Sequence, residues 1–221
     1  MGIPPLIIFD MDGLMFDTEK LAYRAWQMAA AHYGFSFERT LFEQLIGITN
    51  QDIVRKMADY YGPDQPVQEW RAYMRLKKRE LEYSFIRGPH FKKAGLDELL
   101  SFLKSQGIKI AVASSSAREV IHRFLTVSDT LAFIDLYVSG EEVPNGKPSP
   151  DIFLEVCTRL KVNPKEALVL EDSPAGIQAA YLAGIPAFFI PDFVKETAII
   201  RKLKPKIFRD LVEVEQYLRF V

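Results

Sequence analysis

An excess of charge is the first thing the sequence lacks: 221 residues carry 28 Lys and Arg against 29 Asp and Glu, a formal net charge of −1. A chain so balanced has no overall field to gather a polyanion, so nucleic acid is not an expected partner. Thiols are scarcer still. Cys157 is the one cysteine, which leaves no internal disulfide and no multi-thiolate zinc site, and it falls in a helical pattern with Phe153, Leu154, Val156 and Leu160 that assigns it to packing. The three histidines, His32, His90 and His122, are scattered and read as surface or boundary positions. Long apolar runs are also missing. Leu6–Phe9 stops at Asp10, and Ala183 to Phe193 is broken by Gly184, Pro186, Pro191 and Asp192, whereas a membrane span takes about 18 apolar residues. Met1-Gly2-Ile3-Pro4-Pro5 has no basic leader pattern. A cytoplasmic monomer with no membrane partner is expected. What the chain does have is a globular composition, 48% hydrophobic and 26% charged, enough to bury about 70% of the unfolded surface in one large domain or a domain with an insert. Aromatics at spacings such as Tyr23/Trp26 suit a core better than base stacking.

Leu6 to Phe9 reads as a strand buried on both faces of a parallel sheet. A long helical stretch follows. Thr18 is placed to cap a helix that Gly34 ends, and further helical patterns run over Arg39–Ile46, Gln51–Tyr61 and Val67–Phe85, punctuated by Gly47, Gly62 and Pro63. From Gly88 onward helices alternate with short apolar strands: helices at Leu96–Gln106, Arg118–Val127, Pro150–Leu160 and Ala175–Ala183, strands at Lys109–Ala113, Leu136–Ser139, Ala167–Leu170 and Ala187–Ile190. This is a βαβ series. The expected fold is α/β, a Rossmann-like parallel sheet core with a helical cap inserted after the first strand. Residues 1–14 and 88–221 make the core and 15–87 the cap.

Ligands of open α/β sheets sit beyond the carboxyl ends of the strands, and those ends are polar here. They read Asp10-Met11-Asp12-Gly13, Ser114-Ser115-Ser116, Gly146-Lys147-Pro148 and Glu171-Asp172-Ser173. Each has an ordinary explanation alone: a turn at Asp12-Gly13, a helix cap at Ser116, a helix start at Glu171-Asp172, a solvated Lys147. Independent caps and turns give no reason for acids, hydroxyls and a lysine to stand at successive strand ends. Crowded carboxylates need a cation, and an oxygen-only set without His or Cys suits a hard ion such as Mg2+. Asp10 and Asp12, two residues apart, can serve one site, one attacking and the other handling the proton.

The segments Asp10-Met11-Asp12-Gly13-Leu14-Met15-Phe16-Asp17-Thr18, Ala113-Ser114-Ser115-Ser116, Gly146-Lys147-Pro148-Ser149-Pro150-Asp151 and Leu170-Glu171-Asp172-Ser173-Pro174-Ala175-Gly176-Ile177 resemble the four successive motifs of the haloacid-dehalogenase superfamily. The insert resembles the cap of its β-phosphoglucomutase-like branch. The resemblance implies a nucleophile at Asp10, an acid/base at Asp12, phosphate contacts from Ser114, Ser115 and Lys147, and Mg2+ held by Asp10, the Asp12 carbonyl and Asp172 with help from Glu171. An Asp at position 12, where dehalogenases and phosphonate hydrolases of the superfamily carry other residues, implies a phosphate ester whose leaving oxygen needs a proton.

The implied function is release of phosphate from a small phosphorylated metabolite, a sugar phosphate above all. A phosphosugar mutase is the alternative. The cap histidine and arginine of the mutases align with Ala22 and Asn50, which disfavours it. A phosphosugar-binding or receiver-like protein is the non-enzyme alternative; the cap argues against the receiver, and the presence of both Asp10 and Asp12 against a silent binder. Between Trp70 and Lys93 eight basic residues, Arg71, Arg75, Lys77, Lys78, Arg79, Arg87, Lys92 and Lys93, face only Glu80 and Glu82. Most of them read as a solvated helix face, while the resemblance implies that Lys77 or Lys78 enters the site. Glu19 and Asn50 are further candidate substrate contacts.

Overall fold

Four consecutive apolar residues with no polar interruption can be accommodated only where both faces of a strand are covered, and Leu6–Phe9 (β1) is accordingly fully buried. Ile7 and Phe9 pack into one apolar cluster, Leu6 and Ile8 into another on the opposite face. Each such side chain contributes about 1.5–3 kcal/mol by leaving water. The structure, a computed structural model, describes residues 2–46, 48, 50–86, 91–194 and 197–221.

After β1 come helices α1 (Glu19–Tyr33), α2 (Arg39–Glu43), α3 (Asn50–Tyr61) and α4 (Val67–Phe85). The chain then alternates: α5 (Leu96–Ser105), β2 (Lys109–Ser114), α6 (Arg118–Val127), β3 (Leu136–Ser139), α7 (Asp151–Leu160), β4 (Ala167–Glu171), α8 (Pro174–Leu182), β5 (Ala187–Phe189), α9 (Ala198–Leu203), β6 (Lys206–Ile207) and α10 (Leu211–Leu218). The strands form one parallel sheet in the order β3-β2-β1-β4-β5-β6. With β1 central, Asp10 and the ends of β2 and β4 lie on the same edge. The Rossmann-like α/β fold with its helical cap is thus the observed architecture.

The cap has its own apolar centre, built from Trp26, Phe42, Met57, Trp70 and Met74, with α1 lying along α4. Phe193 and Val194, beyond β5, also join it, a contact between cap and core that the sequence pattern did not disclose. Phe193 packs on Tyr23 and Phe42, and the Arg39 guanidinium lies 4.5 Å from its ring centre.

Three local expectations change. The helix expected over Arg39–Ile46 ends at Glu43, and Leu45 and Ile46 reach the cap centre from a turn, so helical spacing was supplied partly by non-helical residues. Thr18 makes no cap hydrogen bond, because its hydroxyl turns toward Asp12. The elements α9, β6 and α10 were not anticipated; β6 is two exposed residues, with no apolar run to signal it. Cys157 is buried in the core, which pushes its thiol up to about 11.

Candidate active site

The edge formed by the ends of β1, β2 and β4 faces the cap across a cavity of about 420 Å³ lined by Asp10, Asp12, Ser114, Ser115, Ser116 and Asp172 from the core side. Asp12-Gly13 turns sharply away from the sheet. Gly13 has φ +86°, and a Cβ there would collide with Asp172 Oδ2, so any side chain at position 13 would push the two acidic segments apart.

Lys147, from the loop after β3, is 1% exposed. Its ammonium has three donors, and they reach Asp10 Oδ1, Glu171 Oε1 at 2.7 Å and the Ala113 carbonyl at 3.1 Å. Desolvation opposes a charge here, yet Asp10 and Glu171 outweigh it and hold Lys147 above the usual lysine range. The other oxygen of Glu171, Oε2, accepts from the Ser173 amide and hydroxyl at 2.8 and 2.9 Å. Ser173 Oγ in turn accepts the Gly176 N–H as the cap of α8, and Gly176 has no room for a Cβ beside the Glu171 carboxylate. Glu171 is expected to assist a metal; both of its oxygens already accept hydrogen bonds, from Lys147 and from Ser173.

Asp12 is held from both sides. Thr18 Oγ1 donates to Oδ1 at 2.8 Å, Ser116 Oγ donates to Oδ2 at 2.7 Å, and Lys78 Nζ stands 3.6 Å from Oδ1. Burial pushes the carboxyl up, but Lys78 and these hydroxyls outweigh it, leaving Asp12 below the usual range. Ser114 Oγ lies 3.4 Å from Asp12 Oδ2 and accepts the Ser116 N–H at 3.0 Å. Thr18 and Ser116 are therefore part of the site. Sequence reasoning read Thr18 as a helix cap and placed Ser116 in the hydroxyl cluster after β2, without assigning either to Asp12.

The cap supplies Ala22, Met74, Arg75, Lys78, Arg79 and Glu82 to the cavity. Of the two lysines considered, Lys78 enters. Lys77 pairs with Glu80 at 2.8 Å and leans on the Tyr73 ring. Glu19 lines the cavity, and burial, with Asp12 and Asp192 nearby and only partly offset by Lys78, lifts its carboxyl to about 7. The Asn50 side chain lies outside the described residues, as do Arg87 and His90. Lys92 and Lys93 pair with Asp97, Asp17 and Asp192, away from the cavity lining.

A cation suits this set. Among the described residues Asp172 Oδ2 is buried with no hydrogen-bond partner, and burial together with neighbouring carboxylates pushes both Asp10 and Asp172 well above the usual range. Four carboxylates, Asp10, Asp12, Glu171 and Asp172, face two lysines, and only oxygen donors are offered. Among the described residues no three His, Cys, Asp or Glu side chains are gathered as a metal cluster; two carboxylates completed by a main-chain oxygen would be needed.

The sequence pattern of haloacid dehalogenase-like hydrolases matches residues 7–190. A phosphorylated carbohydrates phosphatase of Thermotoga maritima is 32% identical over 184 residues, covering 83% of each chain. A β-phosphoglucomutase of Bacillus subtilis is 30% identical over 184 residues, covering 81% of this chain and 80% of the other. In fold, the chain is similar to the crystal structure of a β-phosphoglucomutase from Clostridium difficile, with a TM-score of 0.78 at 24% identity over 99% of this chain and 96% of that one.

Proposed function

Because the chain belongs to the haloacid dehalogenase-like hydrolase family, we propose that it hydrolyses a small phosphorylated metabolite, a sugar phosphate first among them, through an aspartyl-phosphate on Asp10. The observation that carries this reading is Asp12, a carboxylate held by Thr18, Ser116 and Lys78 in the same cavity as Asp10. A proton-carrying group in that position serves a departing ester oxygen.

With Lys147 on Asp10 Oδ1, Oδ2 is the oxygen proposed to attack phosphorus. The P–O bond to the leaving alcohol breaks as the new one forms, and the alcohol oxygen takes its proton from Asp12. Negative charge arriving on the phosphoryl group raises the Asp12 carboxyl and draws Lys78 away from it, both of which favour the protonated form required. Once the alcohol has left, Asp12 as carboxylate removes a proton from water, and that water attacks the acyl phosphate. Phosphate departs and Asp10 is regenerated. Ser114 and Ser115 face the phosphoryl oxygens. Mg2+, held by Asp10, Asp172 and the Asp12 carbonyl, would supply the positive charge that lets two anions approach. Residues 15–87 act as the cap, with Lys78 and Glu19 meeting the leaving group and excluding water; Asn50 is proposed on its sequence position alone. The protein is taken to work as a cytoplasmic monomer; among the described residues no helix is long and apolar enough to cross a membrane.

The mutase reading is favoured by the Bacillus relative. Against it, Ala22 lines the cavity where the mutase histidine is expected and offers no polar group. Turnover of p-nitrophenyl phosphate with and without Mg2+ tests the phosphatase reading. Incubation with β-glucose 1-phosphate and a bisphosphate primer separates the two: rapid glucose 6-phosphate formation with little free phosphate would establish the mutase.

A further inference from the structure

Glu82 has no part in the chemistry above, yet it is 5% exposed and lines the cavity. A carboxylate so far from water persists only when paired. Its partners arrive from opposite sides. Lys78 Nζ, one turn earlier on α4, stands 3.7 Å from Oε1, and Arg123 Nη2, on the core helix α6, donates to Oε2 at 2.8 Å. The same Lys78 ammonium is 3.6 Å from Asp12. A line of alternating charge therefore runs from the core at Arg123, through Glu82 and Lys78 in the cap, back to the core at Asp12. Lys preceding Glu by four residues is the weaker order for stabilising a helix, so helix stability does not explain the pair. Arg123 is itself fixed, its guanidinium lying 5.5 Å from the Phe124 ring centre and 5.7 Å from that of Tyr83.

We infer that Glu82 is a positioning residue, anchored to the core by Arg123, that holds the Lys78 ammonium in the cavity beside Asp12, where an arriving phosphoryl group takes it over, when the cap lies against α6. A lysine stem has four rotatable carbons and many ways to point; Glu82 removes most of them at the moment the Arg123 contact forms. Seating the cap and completing the cation above Asp12 are then a single event. This inference rests on the phosphoryl-transfer reading of Asp10 and Asp12.

Two measurements test it on the full chain. Glu82→Gln keeps the shape of the side chain, and Arg123→Gln approaches the same pair from the core should the first variant fold poorly. Either should lower kcat/KM on p-nitrophenyl phosphate between about tenfold and a hundredfold, the effect of a charge held out of line. In a Lys78→Met background the same changes should cost nothing further, because the positioned group is gone. Equal activity of Glu82→Gln and wild type, or a full multiplicative loss in the double variants, would overturn the inference. The second measurement is independent of turnover: the rate at which acetic anhydride labels Lys78 relative to the exposed Lys165, read by mass spectrometry. That ratio should rise several-fold in both variants, and an unchanged ratio would refute the positioning role. A wild type inactive on phosphate esters in which the labelling ratio still rises would count against the phosphatase reading alone.

Discussion

The two sides of the cavity are supported differently. On the core side, Lys147, Glu171 and Asp172 are at most 2% exposed, and the ammonium of Lys147 uses all three donors on the protein itself. On the cap side, the Lys78 side chain keeps 24% of its exposure, and its carboxylate partners stand at 3.6 and 3.7 Å. The core half is committed before any substrate arrives, its charges fixed by burial and by hydrogen bonds at short range. The cap half is held at longer range by charges that a phosphoryl group can draw away. Rigid core chemistry and yielding cap contacts are what an enzyme needs when one reaction must serve leaving groups of different shape.

The contrast can be broken most severely at Asp10. Asp10→Asn keeps the size and removes the attacking charge, so turnover should fall to background while circular dichroism shows an intact fold; substantial residual activity would sink the mechanism. Asp12→Asn, by removing proton transfer, should lower kcat by about 10²–10⁴-fold.

Next comes the metal. Both oxygens of Glu171 already accept from Lys147 and Ser173, whereas among the described residues Asp172 Oδ2 has no partner. Losing Glu171 should weaken Mg2+ binding about 10–100-fold through misplaced neighbours, and Asp172→Ala should weaken it more. Calorimetric titration of the two variants ranks them, and equal losses would contradict the assignment.

Within the cap, Lys78→Met should lower kcat/KM about 10–100-fold, and Lys77→Met, which breaks a helix pair with Glu80 and a contact with the Tyr73 ring, less than about twofold. Comparable losses would erase the distinction between the two lysines.

The smallest effect is the pH dependence of Glu19. Burial lifts its folded-state carboxyl from 4.5 to about 7, so between those values the unfolded chain sheds a proton that the folded chain keeps. The contribution of Glu19 to stability is therefore fully present below pH 4.5 and declines as pH rises to 7. Glu19→Gln should melt higher than wild type above pH 7 in the absence of Mg2+, with the difference closing below pH 4.5. A gap that widens toward acid would reverse the sign and exclude the buried-acid account.

How much of this was legible in the sequence also divides along the core–cap line. The parallel sheet could be read because short apolar runs buried on both faces, such as Leu6–Phe9 and Ala167–Leu170, have few other uses. Asp10, Asp12, Ser114, Lys147 and the Glu171-Asp172 pair could be read because each ends or follows such a run, and parallel strands all end on one edge. The place of Thr18 and Ser116 was less visible: a hydroxyl beside a helix start is ordinarily a cap, and only a neighbouring Asp12 carboxylate diverts it. On α4 a run of cations at mixed spacing left Lys77 and Lys78 equivalent, and Glu82 looked like one of two acids in the basic stretch between Trp70 and Lys93.

The sequence by itself determined the fold class, the strand ends and the chemical kinds of group gathered there, because hydrophobic patterning and chain direction are local properties that parallel packing converts into a common edge. Only the tertiary structure decided which oxygens are spent and which are free. Glu171 accepts from Lys147, Asp172 Oδ2 has no hydrogen-bond partner among the described residues, Lys78 lies nearer Asp12 while Lys77 pairs with Glu80, and Glu82 meets Arg123 across 41 residues of chain. Those outcomes depend on distances of 2.7 to 3.6 Å between elements far apart in sequence, where electrostatic energy changes steeply with separation and burial, and residue order does not encode that separation.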